Sequence, residues 1–173
     1  MNEPTKPTSC PVVFLHGLES APWGRKSIGL RDAGFDVRAP DGQGCSLAAR
    51  IDAAVTLLEG MDVERTVLVG SSYGGAAAVV TAARLAEAGR TIAGVVLCAP
   101  ALYLPEPPLD ASPPAPVAPT WLVHGRADDI VPIAWSRRWA SEHFAATLFE
   151  VEDGHRLGDS LPTIVRAVEL ASR

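Results

Sequence analysis

Nowhere in the chain do eighteen apolar residues run together, so no segment reads as a membrane-spanning helix. Cations are too few for a nucleic-acid footprint: 15 Lys and Arg stand against 20 Asp and Glu, leaving a net charge of −5. Cysteine is scarce. Cys10, Cys45 and Cys98 form neither a C-x-x-C pair nor a metal-like cluster, so no metal site is expected. Their odd number fits a reducing compartment better than a disulfide framework, and Cys98, inside "GVVLCAP", reads as a small buried hydrophobe. The opening "MNEPTKPTSC" has no basic leader and no apolar core, so residues 1–9 are expected to form a short flexible tail rather than a signal peptide. A cytoplasmic location is the corresponding expectation. Phosphate-binding patterns are wanting too. "GLESAPWGRKS" (17–27) separates its glycines by six residues and carries Arg25 where a P-loop needs lysine, and "DGQG" (41–44) falls short of G-x-G-x-x-G. Both read as turns, and no cofactor is expected.

What is present is a chain of 173 residues, 47% hydrophobic, of a size that buries one good core. Short β-branched runs recur at 11–16, 35–39, 66–70, 93–99, 120–124 and 146–151. They are unbroken rather than alternating, which suits strands covered on both faces. Helix-like stretches lie between them. "SLAARIDAAVTLLEG" has Ser46 as N-cap, a Leu47, Ile51, Val55 and Leu58 face, and Gly60 as the stop. Residues 72–88 are apolar nearly all round, the mark of a helix packed deep against a sheet. Asp159 or Ser160 caps a last helix with Pro162 in its first turn and Ile164, Val165 and Val168 inward. About six alternations predict an α/β fold: a three-layer α/β/α, doubly wound and mainly parallel sheet forming a single domain over 10–173. One segment breaks the rhythm: residues 105–119 hold seven prolines, so 104–120 is expected to be a stiff extended connection.

In such sheets the working site lies beyond the carboxyl ends of the strands. Four loops there carry polar residues: "HGLES", "GSSYGG", "HGRADDIVP" and "EDGHRLGD". In "GSSYGG" the frame G-x-S-x-G fits only with Ser72 at its centre, between Gly70 and Gly74. A strand reversing sharply into a helix strains its corner residue, and small neighbours relieve the crowding. The corner hydroxyl then projects at the helix N-terminus, where backbone N–H groups meet developing negative charge. A serine needs an adjacent base. His155, just after the last strand-like run, is the best placed, whereas His16 and His124 precede glycines at strand ends and His143 sits in a helix. The base needs an orienting acid, and Asp128 and Asp129 both follow the preceding strand.

With "FLHG" at 14–17, "GSSYGG", "HGRADDIVP" and "DGH" in this order, the chain resembles the α/β-hydrolase superfamily over nearly its whole length. Its opening "FLHGLESAPWGRK" further resembles the small YqiA-like esterases. The resemblance implies Ser72 as nucleophile and His155 as general base and acid. Asp128, four after His124, is the implied acid, and the backbone N–H groups of Leu18 and Tyr73 form the implied oxyanion hole. Trp23 is a candidate wall of the acyl pocket, and Arg25, Lys26 and Arg126 lie where an anionic substrate would meet them, though such charges are usually only solvated. A serine at the elbow disfavours the aspartate-dependent dehalogenases and epoxide hydrolases and the cysteine-dependent dienelactone hydrolases. The expected substrate is a small-molecule ester or thioester, with other acyl hydrolysis or transfer and a silent binding fold as alternatives. Where larger relatives insert a helical cap, this chain has only its proline-rich connection. An open, shallow site follows as the expectation.

Overall fold

The computed structural model describes residues 10–109 and 112–173; the tail expected over 1–9 lies outside the described residues. Six strands form one sheet: β1 (Pro11–Leu15), β2 (Asp36–Arg38), β3 (Val67–Ser71), β4 (Gly94–Cys98), β5 (Thr120–Gly125) and β6 (Ala146–Val151). Five helices connect or follow them: α1 (Arg25–Asp32), α2 (Leu47–Glu59), α3 (Tyr73–Glu87), α4 (Ile133–Glu142) and α5 (Leu161–Ala171). The strand order is β2-β1-β3-β4-β5-β6, and every pairing is parallel. The small domain carries no separate cap.

Parallel strands buried on both faces need apolar side chains in both directions, and the register shows how they divide. Val13, Leu15, Leu68, Val95, Leu97 and Leu122 point into one core layer with α2, α3 and Trp139 of α4. Val12, Phe14, Val67, Val69, Val96, Cys98 and Val123 point into the other, against Leu30 of α1 and Ile164, Ala167 and Val168 of α5. Leu122 is fully enclosed. Truncating such a leucine to alanine costs about 2–5 kcal/mol. Full enclosure pushes the Cys98 thiol up to about 11 and leaves it an inert apolar filler.

Two expectations need correction. The runs at 35–39 and 146–151 are not covered on both faces, because β2 and β6 are the sheet edges. β2 shrinks to three residues, and β6 turns Glu150 outward to Arg126 and Arg137. The turn expected over 17–27 also runs into a helix. The N-cap Gly24 donates its N–H to the Ser27 hydroxyl, and α1 starts at Arg25. The caps of the other helices follow the sequence more closely. Ser46 accepts from the Ala49 N–H to start α2, and Ser160 precedes α5, although its hydroxyl turns to Asp153 instead of the helix.

The connection from β4 to β5 packs onto the α2–α3–α4 side, where Leu109 and Ala118 are buried in the core. Two polar ties hold it. Glu106 accepts from the Tyr73 hydroxyl at 2.7 Å and from the Leu47 N–H at 3.4 Å, and the Pro114 carbonyl accepts from the Trp139 indole at 3.2 Å. Proline supplies no N–H, so the segment's backbone has little to donate and these side-chain ties fix its course.

Candidate active site

The chain winds outward from β1 in both directions: β2 lies on one side of it and β3 on the other. Loops leaving β1 and β3 therefore diverge at their carboxyl ends and leave a crevice, the usual seat of a ligand in this architecture. "HGLES" leaves β1 there, and "SSYGG" leaves β3.

Ser72 is the corner residue of the second loop, with φ 54° and ψ −116°. A non-glycine residue there carries strain of about 1–3 kcal/mol that its surroundings must hold. They do so from both sides. The Ser72 N–H donates to the Cys98 carbonyl at 2.9 Å, and its own carbonyl accepts from Ala101 at 3.0 Å and Gly75 at 2.9 Å. The tight reversal also brings backbone against backbone. A Cβ on Gly70 would overlap the Gly74 carbonyl and the Gly75 Cα, and one on Gly74 would overlap the Leu15 carbonyl. Only glycine permits that approach. Ser71, the neighbouring serine, still belongs to β3 and registers with Cys98.

The His155 Nε2 stands 3.1 Å from Ser72 Oγ, and its Nδ1 stands 2.8 Å from Asp128 Oδ2. The three side chains nominated by the sequence thus form one hydrogen-bonded row. His155 is about 20% exposed at the mouth, while the Asp128 side chain is fully enclosed. Burial alone would push the Asp128 carboxyl up. Hydrogen bonds from His155 and from the Val131 and Ile130 N–H groups outweigh it and hold the carboxyl below 3.8. Asp129 is exposed and lies outside the row.

Two further groups organise this row. Asp153 accepts from the Gly154 N–H, the Asp159 N–H and the Ser160 hydroxyl, closing the loop that presents His155. Desolvation opposes its ionisation, but these donors keep its carboxyl low. His124, fully buried, places Nε2 3.0 Å from Asp128 Oδ2 and 3.0 Å from the Val131 carbonyl. Both are acceptors, so Nε2 carries the proton, and the Ser136 hydroxyl, 2.7 Å away, donates to Nδ1. Burial holds this imidazole below 6.5, in the neutral form. Its sequence position before a glycine at a strand end gave no sign of that contact.

These shifts set an acid-side stability profile. A folded-state pKa below the unfolded one contributes stability that is present above the unfolded pKa and lost as pH falls. For His124 the loss begins below about pH 6.5, and for Asp128 and Asp153 below about pH 4. Thermal melts from pH 7.5 to 5 are expected to show falling Tm, with a flatter slope in His124→Asn. An equal slope in that variant removes His124 as the cause.

The remaining candidates are placed as follows. Leu18 and Trp23, on the loop after β1, are 56% and 47% exposed, and the Arg31 guanidinium lies 5.8 Å from the Trp23 ring centre. A Cβ built on Gly17 would come within 3.6 Å of Ser72 Cβ, so this loop borders the elbow directly. The Tyr73 side chain is buried and turned to Glu106, and desolvation followed by that carboxylate raises its hydroxyl to about 12. Two of the three cations nominated for an anionic substrate are engaged elsewhere: Lys26 donates to the Arg156 carbonyl at 2.8 Å, and Arg126 pairs with Glu150 and Glu152. Trp139 packs in the core, Trp135 meets Tyr103 edge-on, and His143 caps the end of α4 rather than lying within it. Among the described residues no three His, Cys, Asp or Glu side chains are grouped to hold a metal ion. No helix among them is long and apolar enough to cross a membrane.

No curated protein matches the sequence significantly. Solved structures do resemble the fold. A protein from Xanthomonas campestris pv. campestris assigned to the hydrolases of the alpha/beta superfamily is 26% identical with a TM-score of 0.77, covering 95% of this chain and 98% of its own. A thermophilic esterase from Thermogutta terrifontis is 16% identical with a TM-score of 0.74, covering 94% and 89%. Est1E from Butyrivibrio proteoclasticus is 17% identical with a TM-score of 0.75, covering 96% and 88%. At those identities the last two likenesses concern the fold alone. The sequence model of the alpha/beta hydrolase family matches residues 12–169, from the first strand through the last helix. The chain belongs to the alpha/beta hydrolase family.

Proposed function

We propose that this member of the family is a serine hydrolase that cleaves small carboxylic esters through an acyl-enzyme. The observation that carries the reading is the row Asp128–His155–Ser72, with contacts of 2.8 and 3.1 Å, ending on a hydroxyl at a strained elbow. In the proposed reaction His155 Nε2 takes the Ser72 proton as Oγ bonds to the ester carbonyl carbon. Asp128 Oδ2, facing Nδ1–H, holds the tautomer that leaves Nε2 free and stabilises the charge that develops on the ring. The carbonyl oxygen gathers negative charge and is received by the Leu18 and Tyr73 N–H groups, the latter at the N-terminus of α3. When the tetrahedral adduct collapses, the C–O bond to the alcohol breaks and His155 returns the proton to it. A water then attacks the acyl carbon, with His155 again as base, and Ser72 leaves protonated with a carboxylic acid as the second product. No cofactor enters any step.

Substrate size is argued from the loops. Leu18, Trp23 and Ile130 are the large apolar side chains exposed on the loops after β1 and β5, and they favour an apolar substituent over a charged one. No cap domain encloses a long chain. Initial rates on p-nitrophenyl acetate, butyrate, octanoate and dodecanoate are therefore expected to peak at the short esters. A peak at dodecanoate overturns the small-acyl reading. Silence on every ester, followed by turnover of an acyl thioester, moves the assignment to a thioesterase.

A further inference from the structure

Arg50 is a cation in the core. It lies on α2 among Leu47, Ile51, Ala54 and Leu58, and it is only 5% exposed. Among the described residues no carboxylate lies in ion-pair contact with it. Asp41 and Glu106 act on it only from beyond contact, so a buried charge here needs direct partners, and the backbone supplies them. Nη1 donates to the His16 carbonyl at 2.8 Å and reaches, at 3.4 Å, the Gly17 carbonyl, which also accepts from His16 Nδ1 at 2.8 Å and from the Ser20 hydroxyl at 3.2 Å. Nη2 reaches the Leu18 carbonyl at 3.5 Å, and Nε reaches the Cys45 carbonyl at 3.4 Å. The guanidinium carbon lies over the Tyr73 ring, 5.0 Å from its centre. Glu106 holds the far end of that ring through its hydroxyl.

Three consecutive carbonyls of the loop after β1 therefore converge on one guanidinium, which also lies over the ring of the residue that follows Ser72. A peptide whose carbonyl is held inward turns its N–H side the opposite way. We propose that Arg50 is a positioning residue that sets the oxyanion hole, clamping Leu18 and Tyr73 to each other so that their N–H groups converge beside Ser72 Oγ. The inference rests on the serine-hydrolase reading and adds a residue that touches neither substrate nor the reacting atoms. Arginine is required because its planar fork binds several carbonyls and stacks on a ring at once. Lysine offers a compact, strongly hydrated charge on a flexible stem, whose three donors cannot span carbonyls spread along a planar fork while lying flat on the ring.

The test compares the wild type with Arg50→Lys, Arg50→Met and Ser72→Ala, using an alkyl fluorophosphonate probe and p-nitrophenyl acetate. The probe reacts when Ser72 Oγ bonds to phosphorus and fluoride leaves, and its phosphoryl oxygen occupies the same hole. Counting labelled sites by mass spectrometry gives rates per competent site, so a variant that is merely less well folded does not register as slow. Both Arg50 variants are expected to show a per-site labelling rate and a kcat reduced roughly 10- to 100-fold, with KM within about threefold of wild type. A wild-type per-site rate in folded Arg50→Lys overturns the proposal, whatever happens to Tm. Failure of both variants to fold also overturns it, because Arg50 is then a structural residue only. A wild type that neither labels nor turns over ester sinks the serine-hydrolase reading instead, and Ser72→Ala fixes the background for that comparison.

Discussion

Ser72→Ala is expected to lower ester turnover by roughly 10⁶-fold, the scale on which losing a serine nucleophile acts, while Ser71→Ala keeps most of the wild-type rate. The two serines are adjacent but differ in kind. Ser71 ends a strand in register with β4, whereas Ser72 sits at the positive-φ corner with its hydroxyl 3.1 Å from His155. The substitution leaves the fold intact, because alanine retains the Cβ and the corner is held through its own N–H and carbonyl. Steady-state kinetics on p-nitrophenyl acetate, with circular dichroism on each protein, make the comparison. If Ser71→Ala proves the silent variant, the elbow has been assigned to the wrong residue.

Asp128→Asn is expected to cost about 10⁴-fold in kcat, and Asp129→Asn almost nothing. The geometry gives the reason. Oδ1 of Asp128 accepts from both the Ile130 and Val131 N–H groups, so an asparagine there keeps its oxygen in that position. Its amide nitrogen then takes the place of Oδ2 and faces His155 Nδ1. A donor at that point stabilises the tautomer with the proton on Nε2, which has no lone pair left for Ser72. The same amide meets the Nε2–H of His124, 3.0 Å from the native oxygen. Two donors facing each other in a closed site cost about 1–3 kcal/mol of stability as well. Melting temperature and kcat should therefore fall together in Asp128→Asn, while exposed Asp129 moves neither. Equal losses in the two variants leave the choice of acid without support.

The residues of the row were legible because the proposed chemistry asks for a definite type in a definite frame at each position. Only Ser72 has glycine two residues to either side, and only His155 follows the last strand next to a glycine. The residues that escaped reading work on backbone and orientation rather than on bonds. Arg50 occupies the i+3 position of the apolar ladder Leu47, Arg50, Ile51, Ala54 and Leu58, so its inward face was there to be read. A charge at that spacing looks solvated until the loop carbonyls it binds 32 to 34 positions away are known. His124 reads as a strand end for the same reason, since its contact with Asp128 depends on how a loop closes. The edge position of β2 and β6 depends on strand order, which local periodicity does not encode.

Ser72 and His155 are separated by 83 residues, and Asp128 lies 27 before His155. Each comes from a different loop of one parallel sheet, and β6 must pair with β5 before His155 reaches either partner. Synthesis from the N-terminus thus completes the Ser72 elbow long before it completes the hydrogen-bonded row. Parallel pairings of this range also form slowly. Until the last strand docks, Ser72 has no imidazole beside it, and on the proposed mechanism its hydroxyl stays unactivated. On the proposed serine-hydrolase reading, turnover is a report on the finished molecule, and a fragment ending before residue 155 is expected to be silent on esters.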